Sequence, residues 1–334
     1  MPNPQPKMYW FLSSRTKRGI CIFVCLCSLC PFAGLAKDPP KRPSITRIER
    51  VQLLVKDLAA ARDFYRRTTV DYCIDGASRL DSTPPQQRDK MAYTMTGWCA
   101  GIANNTFFLN SSQTVGLSLA EGPSPTNAIE SITFATDNLP ELRRYLVAHG
   151  VTTSKARKPD TYLSVIDPEG HVIAFVQRNN LSLPLAAGSF PLPHLIHAGF
   201  IVRDRNAEEH FYKDILGFRP YWHGGMKDDE TTWVSLQVSD GTDWLEFMLY
   251  DDSQRDKRFR GIMNHIALGV TDIHAAQEQL RKNGAPLTEE PKIGRDGKWQ
   301  LNVYDPDETR VEFMEFTPVQ KPCCSEFTGP HPKP

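Results

Sequence analysis

The chain repeats itself, and a unit that cannot bury its own apolar face restricts the whole to architectures in which several copies pack together. RVQLLVKDLAAARDFYRRTTVDY, from Arg50, and HAGFIVRDRNAEEHFYKDILGF, from His197, share one layout: a short apolar strand, a Val-basic-Asp turn and a helix. In both, a Phe-Tyr pair follows the Asp at the same distance, Phe64 and Tyr65 after Asp57, Phe211 and Tyr212 after Asp204.

A second kind of unit alternates with the first. SITFATDNLPELRRYLVAHG, from Ser131, and HIALGVTDIHAAQEQLRKNG, from His265, run from a strand to a Thr-Asp helix cap and a closing Gly, the residue that ends a helix in a left-handed conformation. An Asp-Pro turn follows in each, Asp167-Pro168 and Asp305-Pro306, and then a last apolar strand, HVIAFVQ or RVEFMEF. The order of strand, helix and several strands occurs four times, which predicts an α+β fold of four βαβββ modules.

Four residues of the C-terminal half, His197, Glu246, His265 and Glu312, stand at matched positions in two of these modules. Residues two apart in a strand share a face, so His197 shares its face with Gly199 and Ile201, and His265 with Ala267 and Gly269. Small neighbours leave room above a metal for a substrate. Phe200, Val202, Ile266, Leu268 and Val270 take the opposite face, as packing against helices requires. Glu246 and Glu312 lie in the apolar strands WLEFMLY and RVEFMEF, where a carboxylate without a cation is costly. A single strand His is more often a hydrogen-bonded core residue, and a single Glu equally an edge residue. The four together point to one divalent ion, with Ni, Zn, Co, Fe and Mn all suited to two imidazoles and two carboxylates.

The N-terminal half supplies an internal comparison. Counting from the turns puts Arg50 in the slot of His197, Glu130 in that of His265 and Ala174 in that of Glu312, and QTVGLSLAEG offers no acid in its apolar run for Glu246. That half reads as metal-free, a structural partner or lid, with Arg50 and Glu130 forming either a simple ion pair or a pocket.

From Ile45 to Phe316 the chain resembles the vicinal oxygen chelate (VOC) superfamily, the glyoxalase, bleomycin-resistance and extradiol-dioxygenase group. The resemblance implies that modules pair into cup-shaped domains, each able to hold one metal. Four modules then give two domains: a metal-free one over 45–177 and a metal-binding one over 192–317. A linker over 178–191 joins them, and a short linker over 37–44 precedes the first.

The resemblance also bears on chemistry. Extradiol dioxygenases of the family use two His and one Glu, with further His and Tyr before the last Asp-Pro turn. KIGRDGKWQLNVYDPDE has no His, and its Tyr304 abuts Asp305, so that pattern is incomplete. The His, Glu, His, Glu set is similar to glyoxalase-type lyases and isomerases, which work through a metal-stabilised enediolate-like intermediate. There a ligating glutamate moves a proton, which makes Glu312 the leading base and Glu246 the second. Dioxygenase and non-catalytic resistance-type binding remain as alternatives. The stretch PYWHGGMKDDETTW supplies Tyr221, Trp222, His223 and Trp233 either to the rim of the cup or to ordinary core strands.

A formal net charge of zero and no basic run in the repeats exclude an electrostatic nucleic-acid binder and leave a small-molecule partner, with a monomer as default. Arg15, Lys17 and Arg18 precede ICIFVCLCSLC and a Gly34-Leu35-Ala36 cut site, the layout of a signal peptide over 1–36 with Met8 as an alternative start. Export to the periplasm or medium follows, with no membrane attachment after cleavage; an uncleaved anchor is the competing reading. Of the eight cysteines, Cys73 and Cys99 are placed either to bridge or to stay as two buried thiols. Cys323 and Cys324 fall in KPCCSEFTGPHPKP, so the tail over 318–334 is expected to be disordered, with a metal role for the pair as a minor reading.

Overall fold

The structure is a computed structural model, and it describes residues 40–69, 105–110, 112–121, 128–156, 158, 160–177, 193–250 and 256–334. The expected signal peptide, the 178–191 linker, and Cys73 with Cys99 lie outside the described residues. Among the described residues no helix is long and apolar enough to cross a membrane.

The first half holds β1 (Ile45–Val55), α1 (Leu58–Thr68), β2 (Thr106–Phe108), β3 (Thr114–Leu119), β4 (Ile129–Thr136), α2 (Leu139–Ala148), β5 (Tyr162–Ile166) and β6 (Val172–Gln177). The second begins with β7 (His194–Val202), α3 (Arg205–Glu209) running into a wider π-helical turn (His210–Ile215), β8 (Arg219–Gly224), β9 (Trp233–Gln237) and β10 (Trp244–Leu249). It ends with α4 (Lys257–Met263), β11 (His265–Val270), α5 (Ile273–Lys282), β12 (Lys292–Ile293), β13 (Trp299–Tyr304) and β14 (Arg310–Glu315). Helix starts follow the polar signals: Asp57, Asp204 and Asp272 accept backbone N–H groups of the first turn. At α2 the cap is Asn138, one residue past the expected Thr-Asp pair, because Asp137 takes the N–H of Ser44 instead. Gly150 and Gly284 close α2 and α5 with φ of 78° and 72°.

Two sheets result, in the orders β2-β3-β1-β4-β6-β5 and β12-β13-β14-β11-β7-β10-β9-β8. This is the α+β fold expected from the repeats, two domains each made of paired βαβββ modules. Within a module the first strand lies parallel to the last, as β7 does to β10 and β11 to β14. Between modules the first strands meet antiparallel, β1 with β4 and β7 with β11.

The core faces follow the alternation. Phe200, Val202, Leu245, Phe247, Ile266, Leu268, Val311 and Phe313 join one buried cluster that continues into the first half. An aromatic chain carries it across: Phe200, Phe247 and Phe218 surround Tyr212, and Phe218 meets Phe134 edge-on at 5.4 Å.

The repeated Phe-Tyr and Asp-Pro signals meet crosswise. Tyr65 of α1 donates from its hydroxyl to Asp305 Oδ2 of the last module at 3.3 Å, and Tyr212 donates to Asp167 Oδ2 of the second module at 3.1 Å. The other oxygen of each Asp organises its own turn, taking the N–H groups of Glu169 and His171, or of Asp307 and Thr309. Burial pushes the Asp305 carboxyl up to about 6 from 3.8. A carboxyl raised on folding supports the fold below its unfolded value and progressively less as pH rises through about 6. In Tyr65→Phe the ionised Asp305 oxygen loses its donor, at about 1–3 kcal/mol. The loss in denaturant midpoint is therefore larger at pH 8 than at pH 4, and an equal loss at both would refute the clasp.

Residues 40–44 carry no regular structure, and Arg42 ties them to the second half by donating to Ser239 and Asp240. One terminal reading is corrected. The tail over 318–334 is ordered, not disordered. It lacks regular structure because its prolines carry no N–H, yet Phe327 packs on Tyr221 with centroids 4.8 Å apart, and Tyr221 Oη meets His331 Nδ1 at 2.6 Å. Thr328 N–H donates to Tyr221, Gln237 to the Pro330 carbonyl and Trp222 Nε1 to the Cys323 carbonyl. Cys323 and Cys324 are joined to each other in a disulfide, which takes them out of the thiolate ligand pool.

Candidate metal centre

The sheet order β14-β11-β7-β10 puts four strands side by side, and each carries one of the four expected donors. Register completes the arrangement. Along one row Glu312 is level with Ala267 and Ala267 with His197; along the next, His265 is level with Gly199 and Gly199 with Glu246. The donors therefore surround the two small residues at the centre of the sheet and rise from its concave face.

The small residue beside each histidine makes room for a side chain of the protein. A Cβ at Gly199 would stand 2.0 Å from His265 Cε1, and one at Gly269 would meet the Phe316 ring. The expected room for substrate is, at these two positions, room for an imidazole and a phenyl ring. Gly199→Ala therefore displaces the His265 ring without removing a donor, and the affinity of this site for its ion, measured by metal titration, falls by about tenfold or more.

His265 Nε2 lies 3.0 Å from His197 Nε2, 3.2 Å from Glu246 Oε2 and 4.0 Å from Glu312 Oε2; His197 Nε2 lies 3.7 Å from Glu312 Oε2. His197, Glu246 and His265 offer donor atoms all within 4.8 Å of one another. Donors about 2.0–2.2 Å from a common ion stand roughly 3–4 Å apart, so His197, Glu246 and His265 fit a divalent ion as they stand, while Glu312, 3.7 Å from His197 and 4.0 Å from His265, lies at the edge of that group. His265 Nδ1 faces the Met263 carbonyl at 3.1 Å; donating there leaves the Nε2 lone pair free to ligate.

Electrostatics agree. Burial holds both imidazoles well below their usual value, with each further depressed by nearby cationic groups, so both favour the neutral form, the one that can bind a metal. Burial raises Glu246, against the pull of Arg310, Lys298 and a hydrogen bond from Ser235, and raises Glu312 to about 7, against Arg310 and Lys298. Two carboxylates raised by burial beside two uncharged imidazoles lack a positive charge at their centre. A divalent ion among these donors would supply it.

Three neighbours escaped the sequence analysis. Lys298 is fully buried, with Nζ 4.6 Å from the Trp244 ring and 3.4 Å from Tyr221 Oη, and burial lowers it to about 8 against the pull of Asp296, Glu312 and Glu246. Arg310 Nη2 stands 3.9 Å from Glu312 Oε2. Trp244 lies against His197 with centroids 4.6 Å apart. The signal for Lys298 was its phase with Gln300 and Asn302 on the concave side of β13. The aromatics Tyr221 and Trp222 are buried, packed with Trp244, Met314 and Phe316 beneath the tail's Phe327; Trp233 is half-buried beside them and His223 is exposed. They line the cup and are covered at this end.

In the first half, register gives the matching slots to Arg50, Gly116, Ser131 and Ala174. Glu130 is not in the His265 slot: pairing steps from Gln52–Ser131 to Leu53–Ile129, which leaves Glu130 as an exposed bulge residue. Arg50 donates to Thr106 Oγ1. None of the four slots carries an acid or an imidazole.

Residues 47–175 and 194–313 match the model of the Glyoxalase/Bleomycin resistance protein/Dioxygenase superfamily. A lactoylglutathione lyase of Haemophilus influenzae is 32% identical over 123 residues, 36% of this chain and 91% of that protein. A probable lactoylglutathione lyase of Synechocystis is 28% identical over 135 residues, 36% of this chain and 94% of that protein. The 2,3-dioxygenase LapB from Pseudomonas sp. KL28 superposes with a TM-score of 0.54 at 14% identity, over 88% of this chain and 96% of that one. A catechol 2,3-dioxygenase gives 0.55 at 15% identity, over 87% and 96%. These two likenesses concern the fold alone.

Proposed function

The chain belongs to the Glyoxalase/Bleomycin resistance protein/Dioxygenase superfamily, and from that premise we propose that it is a metal-dependent lyase or isomerase of the glyoxalase type. The observation that carries the reading is the convergence of two imidazoles and two carboxylates on the concave face of the C-terminal sheet. It is supported by relatives named lactoylglutathione lyases.

His197, Glu246, His265 and Glu312 would hold a divalent ion, which would supply Lewis acidity towards substrate oxygens. The chain's own groups divide the remaining work. Glu246 is the close carboxylate, 3.2 Å from His265 Nε2. Glu312 stands farther back, with Arg310 Nη2 3.9 Å away as an alternative partner when its carboxylate swings out of the donor set. It is the group that takes a proton from one substrate carbon and returns it to the next. Lys298, buried among Tyr221, Trp244 and Phe327, stays behind the site as a fixed positive charge that offsets Glu246 and Glu312. The ring-cleaving alternative finds less support, because the Tyr304 hydroxyl donates to Glu289 at 2.6 Å. Export belongs to the same reading and rests on the basic, apolar and small-residue layout over 1–36; N-terminal sequencing of the mature chain checks it.

The test is to supply the metal-loaded chain over 37–334 with thiol adducts of 2-oxoaldehydes, with 2-hydroxy carbonyl compounds and with catechols. Turnover of either carbonyl class without oxygen uptake supports the reading. Ring cleavage coupled to oxygen consumption overturns it.

A further inference from the structure

We propose that Asp167, His171 and Glu208 form a second, structural site for a divalent cation, at the seam between the two halves. Asp167 and His171 come from the Asp-Pro turn before β6, and Glu208 from α3. All three are buried, at 4%, 9% and 0% exposure, and their donor atoms lie within 4.8 Å of one another.

The cluster has one acceptor too many for the donors it contains. Glu208 Oε1 takes the Glu169 N–H at 2.9 Å, while Oε2 is buried and accepts nothing. Asp167 Oδ2 already faces His171 Nδ1 at 2.7 Å and the Tyr212 hydroxyl. Burial and the nearby Asp167, Glu169 and Asp204 carboxylates push Glu208 up to about 8, and only a backbone N–H acts the other way. Two carboxylates and an imidazole are a donor set for one divalent ion, and nitrogen with oxygen donors suits Zn²⁺.

The pseudo-equivalent clasp shows that this chemistry is not needed to join the halves. There Asp305 makes the same two turn contacts and takes the same tyrosine hydroxyl, from Tyr65. The place of His171, four residues past the turn Asp, is taken by Thr309, and the place of Glu208, four past the helix-capping Asp, by Ala61. Both are buried, so that clasp closes through its tyrosine hydrogen bond and packing, with no imidazole and no second carboxylate. An imidazole and a carboxylate added to only one of two like seams, with an oxygen left unpartnered, point to a ligand.

The experiment separates this site from the cup. In a His265→Ala background, which disables the cup, zinc is counted after exhaustive dialysis, with and without the added pair His171→Thr and Glu208→Ala. That pair copies residues the other seam already packs. The site predicts about one zinc per chain in the background and none once the pair is added, with a chelator lowering the thermal midpoint of the first by several degrees and leaving the second unmoved. The same pair in the wild-type cup removes one of two ions and leaves turnover unchanged, which guards against misfolding in the background chain. Equal zinc with and without the pair, or no zinc in the background chain together with no ion lost from the wild-type cup, overturns the proposal and leaves a cluster closed by protons.

Discussion

His265→Ala loses the ion of the C-terminal cup and lowers turnover by about 10³-fold or more. His265 is the hub of the site: its Nε2 stands 3.0, 3.2 and 4.0 Å from donor atoms of His197, Glu246 and Glu312. Its removal also empties the volume that Gly199 leaves open for the ring, so nothing adjacent can replace the donor. Elemental analysis beside circular dichroism checks the claim, because the variant must lose metal while keeping its fold. Full metal and full turnover in that variant would place the centre elsewhere.

Glu312→Gln is expected to separate holding the ion from moving the proton. The amide keeps an oxygen donor and three other donors stay in place, so the cup retains its ion. Turnover nevertheless falls by about 10²–10⁴-fold, since a glutamine cannot take up a substrate proton. KM changes little, because the lost interaction belongs to the transition state. Glu246→Gln lowers turnover less and ion affinity more, as suits a carboxylate nearer the histidines and held by Ser235. If Glu246→Gln gives the larger fall in kcat with metal retained, the two glutamates exchange roles.

Much of this geometry was legible in the residues because alternation is a local property. Phe200, Val202, Ile266, Leu268 and Val270 are core on one face, and the histidines stand on the other. The matched Phe-Tyr and Asp-Pro signals were visible too, but that each tyrosine would bind the other half's aspartate was not, since nothing local encodes the pairing. Glu130 was misplaced because counting back from a helix cap runs straight through a bulge. Lys298 and Arg310 went unseen because a basic residue at a strand end ordinarily faces water; here the covering tail and the acidic cluster decide otherwise. The tail itself looked disordered because its order lies in hydrogen bonds to Tyr221, Trp222 and Gln237, about a hundred residues away, and not in its own pattern.

The crosswise clasps also impose a timetable on the growing chain. Tyr212 finds Asp167 already made, 45 residues earlier. Tyr65 waits for Asp305, 240 residues later, which at ribosomal speeds is roughly 10–50 s. Throughout that interval α1 has no seat for its hydroxyl, so the first half stays unfinished until the last module leaves the ribosome. Nascent chains halted before Asp305 are thus the ones that chaperones and proteases meet with that surface still open.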